Sequence, residues 1–302
     1  MSKIFVVGSI NIDLVAKINH IPAQGETILA DSFSTFCGGK GANQAAAVAK
    51  LGGTVSMIGK VGNDAYGQEL KNNLASYGVD VSNVTTANAP SGIAIISVVK
   101  GDNTIIVSQN ANSHLTKEDI QQGLSSANEG DILITQLEVP LPIVEYALTL
   151  AKKKKLTTIL NPAPAPTSFD ISHLLPSVDI LIPNETETQL LTNINPIDEV
   201  QVTLAIQSFY QKGVKQVVIT LGEDGSVVSQ QNQITYIDPV KTTVVDTTGA
   251  GDTYIGALAV RLSDGIDIIE ACNYASLAAS ITVTQEGAAV SIPTKEMVNY
   301  KK

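Results

Sequence analysis

Charged residues make up only 16% of this 302-residue chain, aromatic residues 4%, and there is no tryptophan. With hydrophobic residues at 44%, the low charge marks a folded chain with a sizeable core rather than a disordered one. Positive charge is the scarcer sign: 19 lysines and arginines face 29 aspartates and glutamates, a net charge of -10 that argues against non-specific nucleic-acid binding. Any site for an anion must therefore be built locally, from helix ends, backbone N–H groups and metal. The only conspicuous basic run, the four lysines at 152–155, suits the last turn of a helix starting near Pro142, where cations complement the helix dipole. Two cysteines, Cys37 and Cys272, make no disulfide framework, and no Cys/His spacing suggests zinc. His20, His114 and His173 stand alone and read as surface or structural residues. No apolar run approaches the ~20 residues that cross a bilayer. Residues 1–8 lack the apolar region of a signal peptide, so a cytoplasmic protein is expected.

What is present is a succession of apolar runs that end in glycine or a polar residue. Residues 3–8 read as a buried parallel strand. From Gly130 onward strand-like and helical stretches alternate. The run at 132–134 precedes Glu138, that at 157–160 precedes Asn161, that at 179–182 precedes Asn184, and that at 216–221 precedes Gly222. Polar residues at the ends of successive strands are the pattern of a doubly wound sheet with a ligand crevice along its carboxyl edge. Residues 64–78 read as a helix whose buried stripe is Tyr66, Leu70, Leu74 and Tyr77. Residues 91–99 and 104–108, joined by a turn at 100–103, read as a hairpin, and residues 25–36 alternate loosely enough for strands. These segments could form a small sheet apart from the main one. No internal repeat or low-complexity linker divides the chain, so residues 1–302 are expected to be one α/β domain, with strands from about 12–36 and 91–108 inserted in it.

Two glycine turns open helices. Gly38-Gly39-Lys40-Gly41-Ala42-Asn43-Gln44 runs into an alanine-rich helix stopped by Gly52. It is not a Walker A loop, because position 34 is Ser and Gly41 replaces the Ser/Thr, and Gln44 holds the place of a dinucleotide fingerprint's third glycine. Gly39 and Asn43, four apart, meet on one face of the helix start, where they could hydrogen-bond a polyol. The second turn, Asp246-Thr247-Thr248-Gly249-Ala250-Gly251-Asp252, follows an apparent strand at 242–245 and opens a helix with apolar residues at Ile255, Leu258, Ala259 and Leu262. Unpaired N–H groups of Gly249, Ala250 and Gly251 would form an anion cradle there. Asp252 conflicts with a bound phosphate unless it is a general base for an attacking hydroxyl. As an ordinary first-turn aspartate it would merely stabilise its helix. Asn11 and Asp13, two apart and on one face if extended, could bind a ligand at a strand end or make an Asx turn.

The Asp246–Asp252 and Gly38–Gln44 motifs, in this order with the strand-end residues, resemble those of the ribokinase (phosphofructokinase-B type) carbohydrate kinases over nearly the whole chain. The resemblance implies a three-layer, doubly wound, mostly parallel α/β sheet with a small β-sheet lid that often mediates dimerisation. It implies ATP-dependent phosphorylation of D-ribose to ribose 5-phosphate, with ATP, Mg²⁺ and K⁺ as cofactors, no nucleic-acid or membrane partner, and a homodimer. Asn11, Asp13, Gly39, Lys40, Asn43 and Glu138 would hold the sugar, and Asp252 would take its proton. Asn184, Thr220, Gly222, Gly225, Gly251 and Ser276 would contact nucleotide. Glu187 would place Mg²⁺ through water. Asp246, Thr248, Thr282, Gln285, Gly287 and Ser291 would enclose the monovalent cation, largely through backbone oxygens, although Glu286 stands where a basic residue would not surprise. The small side chains of the 267–284 helix, including Ala271, Ala275 and Ala279, fit either close packing or a slot for adenine. A kinase for 2-deoxyribose, fructose or adenosine, and a non-catalytic sugar-binding regulator, remain alternatives. No apolar residue stands at Asn11, Asp13 or Asn43 to suit a sugar lacking a hydroxyl, and Asp252 with its glycines is intact.

Overall fold

Every residue of β1 (Ile4–Val7) is fully buried, as expected of a strand covered on both faces. In the computed structural model, described for residues 2–100, 102–230 and 233–300, β1 lies inside a nine-stranded sheet. The remaining strands are, in chain order, β2 (Asn11–Lys17), β3 (Ser32–Gly38), β4 (Val55–Gly62), β5 (Asp80–Ala87), β6 (Gly92–Val99) and β7 (Asp102–Ser108). They continue with β8 (Ile132–Thr135), β9 (Thr157–Leu160), β10 (Ile180–Leu181), β11 (Gln216–Thr220), β12 (Ser226–Gln230) and β13 (Gln233–Ile237). The large sheet runs β13-β12-β11-β10-β9-β8-β1-β4-β5 and is parallel except where β12 and β13 form an antiparallel edge. Alternate residues face two cores. Ile4 and Val6 join Val48 and Leu258, from helices on one face; Phe5 and Val7 join Leu148 and Phe209, from helices on the other. That is a three-layer, doubly wound α/β architecture, with connections leaving β1 toward β4 on one side and β8 on the other, the place where such sheets open a crevice.

Four strands form the smaller sheet, in the order β3-β2-β6-β7, with β2 parallel to β6 and its other pairings antiparallel. Its inner end is buried: Asn11 and Asp13 sit at the start of β2, where it leaves the large sheet. Its outer strand β7 is exposed along its whole length. Val99 pairs with Asp102, so the hairpin is tighter than the four-residue turn expected at 100–103, and Gly101 lies outside the described residues. Residues 25–31 are not strand, and β3 begins only at Ser32.

The apparent strand at 242–245 does not form. Val244 and Val245 are exposed, and among the described residues no strand pairs with them. The N–H groups of Val245 and Asp246 instead both donate to the Val283 carbonyl. Near the chain's end, the loop expected at 285–291 closes into a helical turn at Ala288–Ser291. Among the described residues no helix is long and apolar enough to cross a membrane.

Candidate active site

The site is made by two helices that cross closely enough for their first turns to share side chains. A methyl on Gly256 would overlap Ala47, so the Ala250–Ser263 and Lys40–Lys50 helices approach backbone to backbone. Their N-terminal ends meet beside the carboxyl ends of β1, β8 and β9. Asn43 then donates from Nδ2 to Asp252 Oδ2 at 3.0 Å, and Gln44 from Nε2 to Asp252 Oδ1 at 2.9 Å. Both oxygens of a buried carboxylate are thus engaged by neutral amides. Burial pushes the Asp252 carboxyl above its ordinary range, while Lys40 and the two amides pull it back. A carboxylate desolvated yet aimed by donors can accept a proton.

Asp13, Glu138 and Lys40 gather at the same end. Asp13 is raised to about 7, first by burial, then by the charges of Glu138 and Asp252, with Lys40 opposing. A methyl on Gly38 would overlap the Asp13 carboxylate, so glycine there makes the space it occupies. Burial draws the Lys40 ammonium down, but Asp252, Glu138, Glu187 and Asp13 outweigh it and hold the group above its usual value. Glu138 accepts from Ser9 Oγ and, at 3.3 Å, from the Lys40 backbone N–H. Asn11 Oδ1 accepts from Asn112 Nδ2 at 2.8 Å, which fixes the orientation of the buried Asn11 amide. Asn43 Oδ1 is buried with no partner among the described residues. Unpartnered buried oxygens are uncommon, and this one suits a ligand hydroxyl. Carboxyl and carboxamide groups of Asn11, Asp13, Asn43 and Glu138 thus stand with Asp252 at this end of the site.

Beyond Asp252 a cleft runs along the strand ends, lined by Lys40, Asn161, Asn184, Glu187, Thr220, Thr247, Gly249 and Gly251. Gly249 takes φ +79 as the N-cap residue of its helix, and no side chain caps that helix. Of the three expected cradle donors, Ala250 N–H turns back to the Thr247 carbonyl at 3.2 Å, whereas the N–H groups of Gly249 and Gly251, and that of Asp252 beside them, make no hydrogen bond among the described residues. Nothing lies within 4 Å of the position a Gly251 Cβ would take, so the backbone there faces open space. Glu187 is held in a capping box with Asn184, its Oε2 accepting the Asn184 N–H at 2.9 Å. Burial raises the Glu187 carboxyl, against the Asn184 hydrogen bond and Lys40. Thr220 sits beside Asn184 through a parallel bridge. Gly222, Gly225 and Ser276 do not line this cleft; Gly225, at φ +90, packs tightly against the Ile237 carbonyl.

Of the residues expected around a monovalent cation, Thr248 and Gly287 bond Asp246. Its Oδ1 accepts from Thr248 N–H at 2.9 Å and Thr248 Oγ1 at 2.6 Å, and its Oδ2 from Gly287 N–H at 2.9 Å. These donors outweigh burial and hold the Asp246 carboxyl below its ordinary range. The carboxylate therefore braces two loops together. Thr282 is fully buried and bonds Thr253 Oγ1 at 3.0 Å; Ser291 Oγ donates to the Ala288 carbonyl; Gln285 N–H donates to the Thr282 carbonyl. Glu286 pairs with Lys17 of β2 at 3.0 Å.

Several residues of the site carried no individual signal. Ser9, Asn112 and Gln136 join it across 92 or more residues of sequence, through bonds to Glu138, Asn11 and Gln44. Gln44 and Asn161 stood inside a glycine motif and at a strand end, and their polar type in buried places was the only cue.

Residues 1–295 match the family described as pfkB family carbohydrate kinase. The chain is 39% identical to a ribokinase of Haemophilus influenzae over 293 residues, 96% of this chain and 95% of that one. It is 36% identical to a deoxyribokinase of Salmonella typhi over 299 residues, 98% and 97% of the two chains. Its fold superimposes on the structure of Arabidopsis thaliana ribokinase complexed with ribose and ATP with a TM-score of 0.89, at 34% identity over 99% of this chain and 98% of the other.

Proposed function

The chain belongs to the pfkB family of carbohydrate kinases, and on that premise we propose that it transfers the γ-phosphoryl group of ATP to O5 of D-ribose, giving D-ribose 5-phosphate. The observation that carries this reading is Asp252, buried, held on both oxygens by amides, and set between a polyol site and an open helix start. Asn11, Asp13, Gly39, Lys40, Asn43 and Glu138 hold the sugar; Asp252 accepts the proton of the attacking hydroxyl. The free N–H groups at Gly249, Gly251 and Asp252, with the Lys40 ammonium, stabilise charge on the transferred group. Ala250 shapes that turn. Asn184, Thr220, Gly222, Gly225 and Ser276 form the nucleotide side, with adenine beyond Ser276.

The donor set fits the expected ions. Among the described residues no group of three or more acidic, histidine or cysteine side chains stands ready to ligate a metal. Glu187 is the acidic side chain at the phosphate end of the cleft, which suits Mg²⁺ bound mostly by phosphate oxygens and water. When bound, Mg²⁺ neutralises charge on the phosphates. Asp246 spends its carboxylate bracing the 246–248 and 285–291 segments, leaving backbone oxygens there to take K⁺. The exposed edge strand β7, with Ile105 and Ile106 uncovered, is the surface through which two chains pair lid to lid. Dependence on ATP makes the cytoplasm its place of work.

Release of ADP from Mg-ATP with ribose, 2-deoxyribose, fructose and adenosine, each with potassium and with sodium, tests this reading. Ribose-selective turnover raised by potassium is expected. Selective turnover of another acceptor overturns ribose but keeps the phosphoryl chemistry. Sugar binding without turnover of any would make the protein a regulator.

A further inference from the structure

Asp252 is held by more than the sugar-site amide. Gln44, fully buried, donates to Asp252 Oδ1 at 2.9 Å and to Asn161 Oδ1 at 3.4 Å from the same nitrogen. Its carbonyl oxygen accepts from Gln136 Nε2 at 2.6 Å. Asn161 is oriented in turn by its own donation to the Ile182 carbonyl at 3.0 Å. Gln136, at the end of β8, and Gln44, at a helix start, thus form a chain of two donors that ends on the carboxylate, with Asn161, at the end of β9, accepting a side branch from Gln44. The direction of the chain matters: a Gln44 amide turned the other way would set its oxygen against Asp252 and against Asn161 Oδ1, and its NH₂ against the Gln136 NH₂. Burial of such groups is costly unless they are paired, and Gln136 Oε1 is left unpaired, with room made for it only because residue 8 is glycine. A packing role would be filled more simply by apolar side chains.

We propose that Gln44 is the positioning residue for Asp252, and that Gln136 sets the direction in which the Gln44 amide points. The inference rests on Asp252 being the base. Gln44 acts through Asp252 and does not touch the sugar, whereas Asn43 spans both. The relay favours the charged, correctly rotated carboxylate, so its loss weakens turnover more than sugar binding.

Gln44→Met keeps the side chain's length and removes its donors. It is expected to lower kcat about tenfold, leave the KM for ribose within about twofold, and move the acid limb of kcat, measured at saturating ribose and Mg-ATP, to higher pH by about one unit. Lys40, Asp13, Glu138 and Glu187 also face this region, and their charges, like the neutral Asn43 amide, are common to parent and variant, so the difference reports the relay. Gln136→Met leaves Gln44 free to turn over and should give the same signature, smaller. Folded variants whose acid limb matches the parent, or whose KM changes more than kcat, overturn the proposal. So does failure of both variants to fold, which would make the relay a folding element. Asp252→Asn separates the two ideas: if it retains turnover, the base assignment fails; if it is inactive while the glutamine variants behave like the parent, only the relay fails.

Discussion

The two helix starts that meet at Asp252 are built alike and behave differently. Each is preceded by a positive-φ glycine, Gly39 at +93 and Gly249 at +79, and neither has a side-chain cap. At the first, the leading N–H groups are taken: Lys40 N–H by Glu138, Gly41 N–H by Ser9 Oγ at 3.4 Å, Ala42 N–H by the Ser9 carbonyl at 2.9 Å. At the second, Gly251 and Asp252 keep theirs free. The difference comes from what precedes each turn. A chain segment from β1 lies across the first and satisfies it, so it can offer only side chains, Lys40, Asn43 and Gln44. At the second, Ala288 packs against Gly249, but no acceptor among the described residues takes the Gly251 or Asp252 N–H, so it offers backbone and dipole. On the proposed function, one glycine turn frames the polyol and the other receives the anion.

The largest effect is expected where the two starts join. Asp252→Asn keeps the side chain's shape and the Gln44 contact, keeps the Asn43 contact only if Asn43 turns its amide over to accept, and removes the capacity to take a proton, so kcat should fall at least ~10²-fold while ribose affinity and melting temperature change far less. Calorimetric ribose binding beside turnover checks it. Near-normal turnover would remove Asp252 from the chemistry and leave the shared carboxylate as a structural tie between helices.

Alanine at the two starts sharpens the contrast. A Cβ on Gly39 would stand 2.8 Å from the Asn11 nitrogen and 2.9 Å from the Ser9 carbonyl oxygen, on a backbone that disfavours any side chain. Gly39→Ala should cost about 1–3 kcal/mol in urea unfolding. Gly251→Ala meets nothing within 4 Å and sits in helical backbone, so stability should hold, while the methyl projects toward bound phosphate and lowers kcat/KM for ATP about tenfold. Equal stability losses at both would mean that the second start is as filled as the first.

Both starts were legible because their signal is local: glycine, small residues and a polar side chain within seven positions. The alternation of buried strands and helices was legible for the same reason. What was not legible depends on neighbours far along the chain. The β-branched run at 242–245 looks like a strand, but pairing needs a partner, and among the described residues no strand pairs with it. Asn112 and Gln136 are single amides in unremarkable surroundings, and only the fold sets them against Asn11 and Gln44. Ala250 N–H was expected in the cradle, yet a tight turn captures it, a matter of backbone angles that composition does not encode.

At the polyol end, the Asp13 carboxyl stands at about 7 against 3.8 for the free group, chiefly through burial. The folded chain therefore keeps this proton to higher pH than the unfolded chain. Its contribution to stability is full below about pH 4 and is lost as pH rises through about 7. Asp13→Asn has no such titration. It should be more stable than the parent at pH 8, on the order of 1–3 kcal/mol by denaturant unfolding, with the gain shrinking toward pH 5. Ribose binding should weaken at both. A pH-independent difference would place Asp13 in a more solvated setting than its burial indicates.

The smallest effect concerns how the small sheet reaches the anion end. Lys17, at the far end of β2, pairs with Glu286 at 3.0 Å, and Glu286 adjoins Gly287, whose N–H binds Asp246. Both side chains are at least half exposed, so solvent screens the pair and little stability rides on it. Lys17→Ala should change kcat/KM for ATP by no more than about twofold at low salt, and that change should vanish near ~0.5 M salt, where exposed charges no longer feel one another. A larger, salt-resistant loss would mean that the sheet over the sugar and the turn beside the phosphate move as one body, and the two helix starts would then be coupled from outside as well as through Asp252.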